Sequence, residues 1–227
     1  MDRSLTFVLP ARDEEGNIAR AVAACVRCGE ALAVPFEVVV VDDGSLDRTA
    51  ERAEASGDPR VRVVRHGLAR GYGAALRTGF RVARTARVFF TDADLQFEVS
   101  ELAGWWALAD RYPVIVGYRA PRRDGWIRRL NGWAWSRVVD ACLGTAVRDV
   151  DCAFKLFDRR ALDDLRIRSD GAFVNAEIVA SLRRAGLPMV ELPVSHRPRT
   201  AGRASGARPA VVGAALRDLI RALAWAS

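Results

Sequence analysis

The chain is poor in the residues that build metal and redox centres. It has two histidines and four cysteines in 227 residues. Cys25 and Cys28 form a C-x-x-C pair, but no second pair stands at metal spacing, and Cys142 and Cys152 lie far off. Four cysteines do not make a disulfide scaffold in a chain this long, and they read as small buried hydrophobes. No apolar run approaches the ~20 residues that cross a bilayer. The longest candidate, Ala31 to Val41, is broken by Pro35 and Glu37. The opening Met1-Asp2-Arg3 carries no apolar signal segment, so the expected location is cytoplasmic, at most peripheral on the membrane face. There is no zinc finger and no RNA-binding spacing of aromatics, which sets nucleic acid aside as a partner.

Half of the residues are hydrophobic and 28% are charged, the balance of a soluble globular protein with a substantial core. The net charge is +7, and 34 of the 35 basic residues are arginine. That basicity favours an anionic partner, with a nucleotide diphosphate or a lipid headgroup preferred.

The stretch Val88-Phe89-Phe90-Thr91-Asp92-Ala93-Asp94-Leu95-Gln96 starts as a buried strand and ends in two carboxylates flanking an alanine. In an extended chain residues i and i+2 face the same side, about 6.6 Å apart. Two such charges repel unless a cation lies between them. Mg²⁺ or Mn²⁺ meets that need, held by one or two carboxylates and a substrate's phosphates. The plain alternative is an acidic turn with Asp94 capping the next helix.

Taken in order, Leu5 to Leu9 reads as a strand stopped by Pro10, and Ile18 to Val26 as a helix. Phe36 to Val41 is a second strand, its four consecutive valines predicting burial on both faces in a parallel sheet. Asp42-Asp43-Gly44-Ser45 follows, and Asp47-Arg48-Thr49 opens another helix. Val61 to Val64 is a third strand, Arg70-Gly71-Tyr72-Gly73 a loop, and Ala74 to Ala83 a helix. Strand, acidic or glycine turn, helix is the order of an open α/β sheet, which gathers its ligands at the carboxyl ends of its strands. Each turn alone is ordinary turn chemistry, and a lone G-x-G is weak. Their joint occurrence at successive strand ends points to a site.

Together, Pro10-Ala11-Arg12-Asp13-Glu14-Glu15, Val40-Val41-Asp42-Asp43-Gly44-Ser45, Gly71-Tyr72-Gly73-Ala74 and Asp92-Ala93-Asp94-Leu95-Gln96 resemble the family 2 inverting glycosyltransferases. Within them the chain looks most like the polyprenol (dolichyl) phosphate sugar synthases. The resemblance implies a GT-A fold, α/β with an open mixed sheet flanked by helices. It implies a domain over residues 1–205 followed by an amphipathic helix over 206–227, a sugar nucleotide (GDP-mannose or UDP-glucose), a divalent metal, and a polyprenyl phosphate acceptor. By the same resemblance, Pro10, Arg12, Glu14, Val40, Asp42, Asp43, Arg70, Asp92, Ala93, Asp94, Gln96 and Arg119 fall at donor-binding positions. Asp94, Gln96 and Asp92 fall at the metal. Arg119, Arg128, Arg129, Lys155, Arg199 and Arg203 match acceptor and phosphate positions. Asp94, Asp149 and Asp151 are the catalytic candidates; Asp149 or Asp151, with Glu177 third, would take a proton from a hydroxyl acceptor. A lipid phosphate is already anionic and needs no strong base. His66 and His196 are lone histidines, His196 with phosphate contact as its alternative.

The chain departs from the family pattern in places. Arg12-Asp13 stands where Tyr-Asn is usual, Phe97 follows the glutamine, and Ala153 replaces a glycine. Ala204-Ser205 stands where Ser-Lys is usual, leaving Arg203 or Arg208 to supply the cation. Asp124 to Arg148 reads as a helix with Trp126, Trp133, Trp135 and arginines around an apolar stripe, and suits a membrane interface or a core. The last helix, from Pro209, carries Val212, Leu216, Leu219, Ile220 and Leu223 and is open to the same two readings, with a membrane partner protein as another route of attachment. The rivals are a glycosyltransferase with a soluble hydroxyl acceptor, a sugar nucleotidyltransferase, and a non-catalytic nucleotide-binding module.

Overall fold

The computed structural model describes residues 2–120, 126–198 and 209–226, with side chains over 2–120, 130–198 and 211–224. Seven strands form one sheet in the order β3-β2-β1-β4-β6-β5-β7. They are β1 (Leu5–Ala11), β2 (Phe36–Asp42), β3 (Val61–Arg65), β4 (Arg87–Thr91), β5 (Val114–Arg119), β6 (Phe154–Asp158) and β7 (Met189–Val194). β1 pairs parallel with β2 and β4, β2 with β3, and β5 with β7. Only β6 runs against its neighbours, with Thr91 opposite Phe154. The carboxyl ends of six strands and the start of β6 therefore share one edge. The strand order reverses between β1 and β4, where open α/β sheets bind their ligands.

The valines of β2 explain its burial on both faces. Val38 and Val40 join the main core, while Val39 and Val41 pack with Ala75 of α3 (Tyr72–Val82) on the other face. The main core is built on Phe7, Phe89 and Phe154, whose rings meet edge to face. Trp105 of α4 (Leu102–Trp106) extends it.

Three expected boundaries move, each for a physical reason. Pro10 does not stop β1. The ladder to β4 ends at Val8, so the N–H that proline lacks has no strand opposite it. Helix α1 (Ile18–Leu32) runs past Val26 through Cys28 and Gly29, because the Phe36 ring occupies the space of a side chain there, 2.5 Å from an added Cβ. Helix α5 (Trp126–Leu143) stops short of Arg148 at Gly144, which adopts φ 64° and donates its N–H to the Asp140 carbonyl.

Cys25, Cys28 and Cys152 are buried as expected, and burial pushes the Cys28 and Cys152 thiols up to about 11 and about 12. At the chain's end, α8 (Pro209–Ala226) packs against α5 and sends Leu219 and Ala222 into the main core.

Candidate active site

Two loops on the shared edge are laced together by backbone-to-side-chain bonds. The Asp13 and Glu14 N–H groups donate to Ser45 Oγ (2.9 Å) and Thr49 Oγ1 (2.8 Å). Leu46 N–H donates back to Asp13 Oδ1 at 2.8 Å, and Glu15 N–H to Asp47 Oδ2 at 3.1 Å. The lacing fixes Asp42, buried at the end of β2, whose carboxylate accepts from Ser45 Oγ. Glu14 binds the Asn17 amide at 2.6 Å, just before α1 begins, and Arg12 is exposed beside Asp13.

Asp43 acts as a bracket for the next loop. One carboxylate oxygen accepts from His66 Nδ1 and Arg70 N–H, the other from Gly71 N–H, all at 2.8 Å. His66 reaches Thr78 Oγ1 of α3 with its other nitrogen at 3.0 Å. Gly71 takes φ 105°, and Gly73 lies so close to the Ser169 carbonyl that a Cβ would approach it to 2.1 Å. Asp43→Ala removes three bonds to buried or backbone partners and is expected to cost about 1–3 kcal/mol. Loop 66–73 should loosen, and faster amide exchange at Gly71 with a lower melting point is the check.

The central carboxylates are placed by a turn. β4 ends at Thr91, and Asp92 to Leu95 leave the strand, Leu95 at φ 61°. The expected alternation along an extended chain is therefore wrong for Asp92 and Asp94. Capping of the next helix is wrong too, since Asp94 Oδ1 accepts from Gln96 N–H (3.1 Å) and that helix begins only at Val99. Asp92 Oδ1 accepts from the Tyr72 phenol at 2.8 Å. Burial, with Asp92 beside it, pushes the Tyr72 phenol well above its ordinary value, so it stays a neutral donor. No group of three or more His, Cys, Asp or Glu converges anywhere among the described residues. The turn thus offers at most two hard carboxylates to a cation. That donor set fits Mg²⁺ or Mn²⁺ sharing a diphosphate and water, and does not fit a closed zinc site.

On the other side of the edge, Arg119 at the end of β5 forks onto Asp149. Nε meets Oδ2 and Nη2 meets Oδ1, each at 2.6 Å. The Asp151 carboxyl is raised above the ordinary range by burial and by Asp149.

Comparison with known proteins decides the family. The sequence pattern of "Glycosyl transferase family 2" matches residues 6–166. The chain belongs to glycosyl transferase family 2. It is 30% identical over 209 residues to the undecaprenyl-phosphate 4-deoxy-4-formamido-L-arabinose transferase of Pectobacterium atrosepticum. The match takes in 88% of this chain but 62% of that protein, so the chain spans under two thirds of the relative's length. Its fold is that of the glucosyl-3-phosphoglycerate synthase of Mycobacterium tuberculosis solved with phosphoglyceric acid, at TM-score 0.72 and 23% identity, covering 97% of this chain and 79% of that one. The mannosyl-3-phosphoglycerate synthase of Rubrobacter xylanophilus shares it at TM-score 0.74 and 20% identity, covering 98% and 74%. The expected GT-A architecture is the one observed.

Within this family 2 domain, several of the expected ligand residues make contacts inside the protein. Pro10 and Val40 are buried inside β1 and β2, and the Val40 side chain belongs to the core. Asp43 holds the glycine loop, and Arg70 contributes its backbone to that bracket while its side chain is exposed. Ala93 is buried between the two carboxylates. The Gln96 amide donates to the Arg197 carbonyl at 3.2 Å, which turns that nitrogen toward the 197 segment. Lys155 does not reach an acceptor. It is 0% exposed, and its three donors go to Val150 O (3.1 Å), Cys152 O and Asn175 Oδ1 (2.9 Å). Glu177, on α7 (Val174–Arg184), is occupied too: it accepts from the Arg168 and Ser169 N–H groups of the preceding loop, and burial pushes its carboxyl up. His196 packs its ring against Phe97. The side chains of Arg128 and Arg129, and residues Arg199, Arg203 and Arg208 entirely, lie outside the described residues. Sequence reasoning assigned no role to Tyr72 or Asn175. Tyr72 stood inside a quoted motif, whereas nothing in sequence marks Asn175.

Proposed function

We propose that the chain transfers a hexose, mannose or glucose, with inversion from a sugar nucleotide to a polyprenyl phosphate, with Mg²⁺ or Mn²⁺ bound at Asp92 and Asp94. The observation that carries the lipid-phosphate part of the reading is the match along 88% of the chain to a relative named as an undecaprenyl-phosphate 4-deoxy-4-formamido-L-arabinose transferase, and the hexose is this proposal's own. Asp42 and Arg12 border the nucleoside end of the donor, and Arg119 orients phosphate on the far side of the carboxylate turn. A bound divalent cation supplies charge neutralisation for the departing diphosphate. The residues themselves orient the two phosphates and keep them from repelling one another apart.

The same reading gives α5 and α8 a role at the bilayer. Seven of the nine large exposed hydrophobics among the described residues lie on these two helices. They include Trp133 (57% exposed) and Ile220 (67%), with Arg137 over the Trp133 ring and Arg217 and Arg221 exposed nearby. Apolar side chains rimmed by arginine fit an anionic lipid surface. No helix among the described residues is long and apolar enough to cross a membrane. Replacing Leu216 and Ile220 together by Asp is expected to weaken sedimentation with anionic vesicles about tenfold. The melting point should stay near wild type, because both side chains are exposed. Unchanged vesicle binding would reject this face.

A hydroxyl acceptor is the second reading, favoured by Asp151, a candidate base whose carboxyl burial and Asp149 hold above its ordinary value. One assay separates the two. The protein is incubated with Mn²⁺ or Mg²⁺, labelled sugar nucleotides and polyprenyl phosphate, and the organic phase is counted. Metal-dependent label there with one donor is the expected result. Label that remains aqueous, without need for lipid, favours the hydroxyl reading. No transfer from any donor would reject both.

A further inference from the structure

Helix α8 carries a single carboxylate, Asp218, and it does not stand out in solvent with the helix's arginines. It shares the inward flank with Leu219 and Ala222, its side chain 20% exposed, while Leu216 and Ile220 are on the exposed side. A carboxylate so placed is costly unless it is bonded. Its Oδ2 accepts from Ser169 Oγ at 2.9 Å, in the loop before α7. That loop is held from two further directions. The Arg168 and Ser169 N–H groups donate to Glu177 of α7 at 2.8 and 2.9 Å, and Arg77 of α3 donates to the Ser169 carbonyl at 3.1 Å.

The same loop is the floor under the glycine loop. The Gly73 N–H donates to the Asp170 carbonyl at 2.8 Å. A Cβ at Gly71 would come within 2.3 Å of the Asp170 carbonyl oxygen, and one at Gly73 within 2.1 Å of the Ser169 oxygen. Backbones packed so closely move together. Between the two glycines stands Tyr72, whose phenol donates to Asp92 Oδ1 at 2.8 Å. Hydrogen bonds and backbone contact thus run without a break from the last helix to a carboxylate of the central turn.

We propose that Ser169 and Asp218 are positioning residues for the carboxylate turn. Their bond holds the 167–171 loop, and through it the Gly71–Gly73 loop, where the Tyr72 phenol meets Asp92. Neither residue touches substrate. The inference rests on Asp92 and Asp94 being the cation site of the proposed transferase. It makes α8 part of the frame of that site as well as part of the face proposed for lipid. A carboxylate bonded from behind keeps its other oxygen directed, and loss of such outer partners commonly lowers metal affinity about 10- to 100-fold. Asp218 acts at a greater remove, so its effect lies at or just below the lower end of that range.

The test is Mn²⁺ binding followed by electron paramagnetic resonance in the presence of UDP, well below the melting point and with no turnover required. Asp218→Ala is expected to weaken binding about five- to tenfold and to speed amide exchange at Gly73. Ser169→Ala should do the same, and the double variant should fall little below either single one, since both remove one bond. Asp218→Asn is the discriminating variant. It gives up the ion pair with Arg221, 3.5 Å away, but its amide oxygen still accepts from Ser169 Oγ. Its affinity should stay within about twofold of wild type. An Asn variant as weak as Ala overturns the positioning role, as does wild-type affinity in Ser169→Ala. Affinity that falls while Gly73 exchanges at the wild-type rate overturns the route through the glycine loop. Failure of the wild-type protein itself to take up Mn²⁺ overturns the cation site and this inference with it, which separates that failure from failure of the positioning role alone.

Discussion

Asp94→Ala is expected to lower sugar transfer at least about a hundredfold while the protein still folds. Asp94 is 4% exposed at the tip of the turn after β4, and one of its oxygens accepts from the Gln96 N–H. The substitution therefore removes both a negative charge and a turn bond. Asp94→Asn separates them, because an amide oxygen still accepts from that N–H while the charge is gone. If charge toward a cation is the function, Asn fails nearly as badly as Ala. If the turn bond is the function, Asn behaves as wild type. Label in the organic phase, read beside the melting point, decides between them, and full turnover by Asp94→Ala would remove this carboxylate from the reaction.

The parts of the fold that were legible are those whose pattern is local. Four valines in a row ending in Asp42 predict a parallel strand buried on both faces, and β2 is that strand. The carboxylate pair and the glycine loop were legible as candidate sites because polar residues collect after apolar runs. Their geometry was not. Asp92 and Asp94 are held by a turn with Leu95 in the left-handed region, and no periodicity announces such a turn. β6 and β7 escaped notice for a related reason. Phe154 to Asp158 carries a lysine in its interior, which becomes tolerable only when two carbonyls and Asn175 meet it in space. Met189 to Val194 carries Glu191 and Pro193 in a strand paired only with β5, at the rim of the sheet, where proline is accepted. Asp43 and Lys155 show the same limit from the other side. Both were placed at ligand positions by the family resemblance, and here each is occupied by loop and core partners that the resemblance does not show.

Arg119→Met is the stability counterpart of the Asp94 experiment. The guanidinium is 15% exposed and the Asp149 carboxylate 6%, and the pair is joined by two parallel bonds. Removing the cation strands a carboxylate in a poorly solvated place, a change that costs about 3–5 kcal/mol. In a domain of this size that lowers the melting point on the order of 10 °C. Asp149 also accepts from the Arg119 backbone N–H at 3.3 Å, so the turn between α5 and β6 should loosen along with the pair. The double variant Arg119→Met with Asp149→Leu replaces both charges by apolar groups and should recover most of the lost stability. Transfer should not recover with it if Arg119 also orients phosphate, because the cation is still missing. A single variant that melts like the wild type would show that the pair is not what holds this edge of the sheet together, and a fully active double variant would take Arg119 out of the phosphate-binding set.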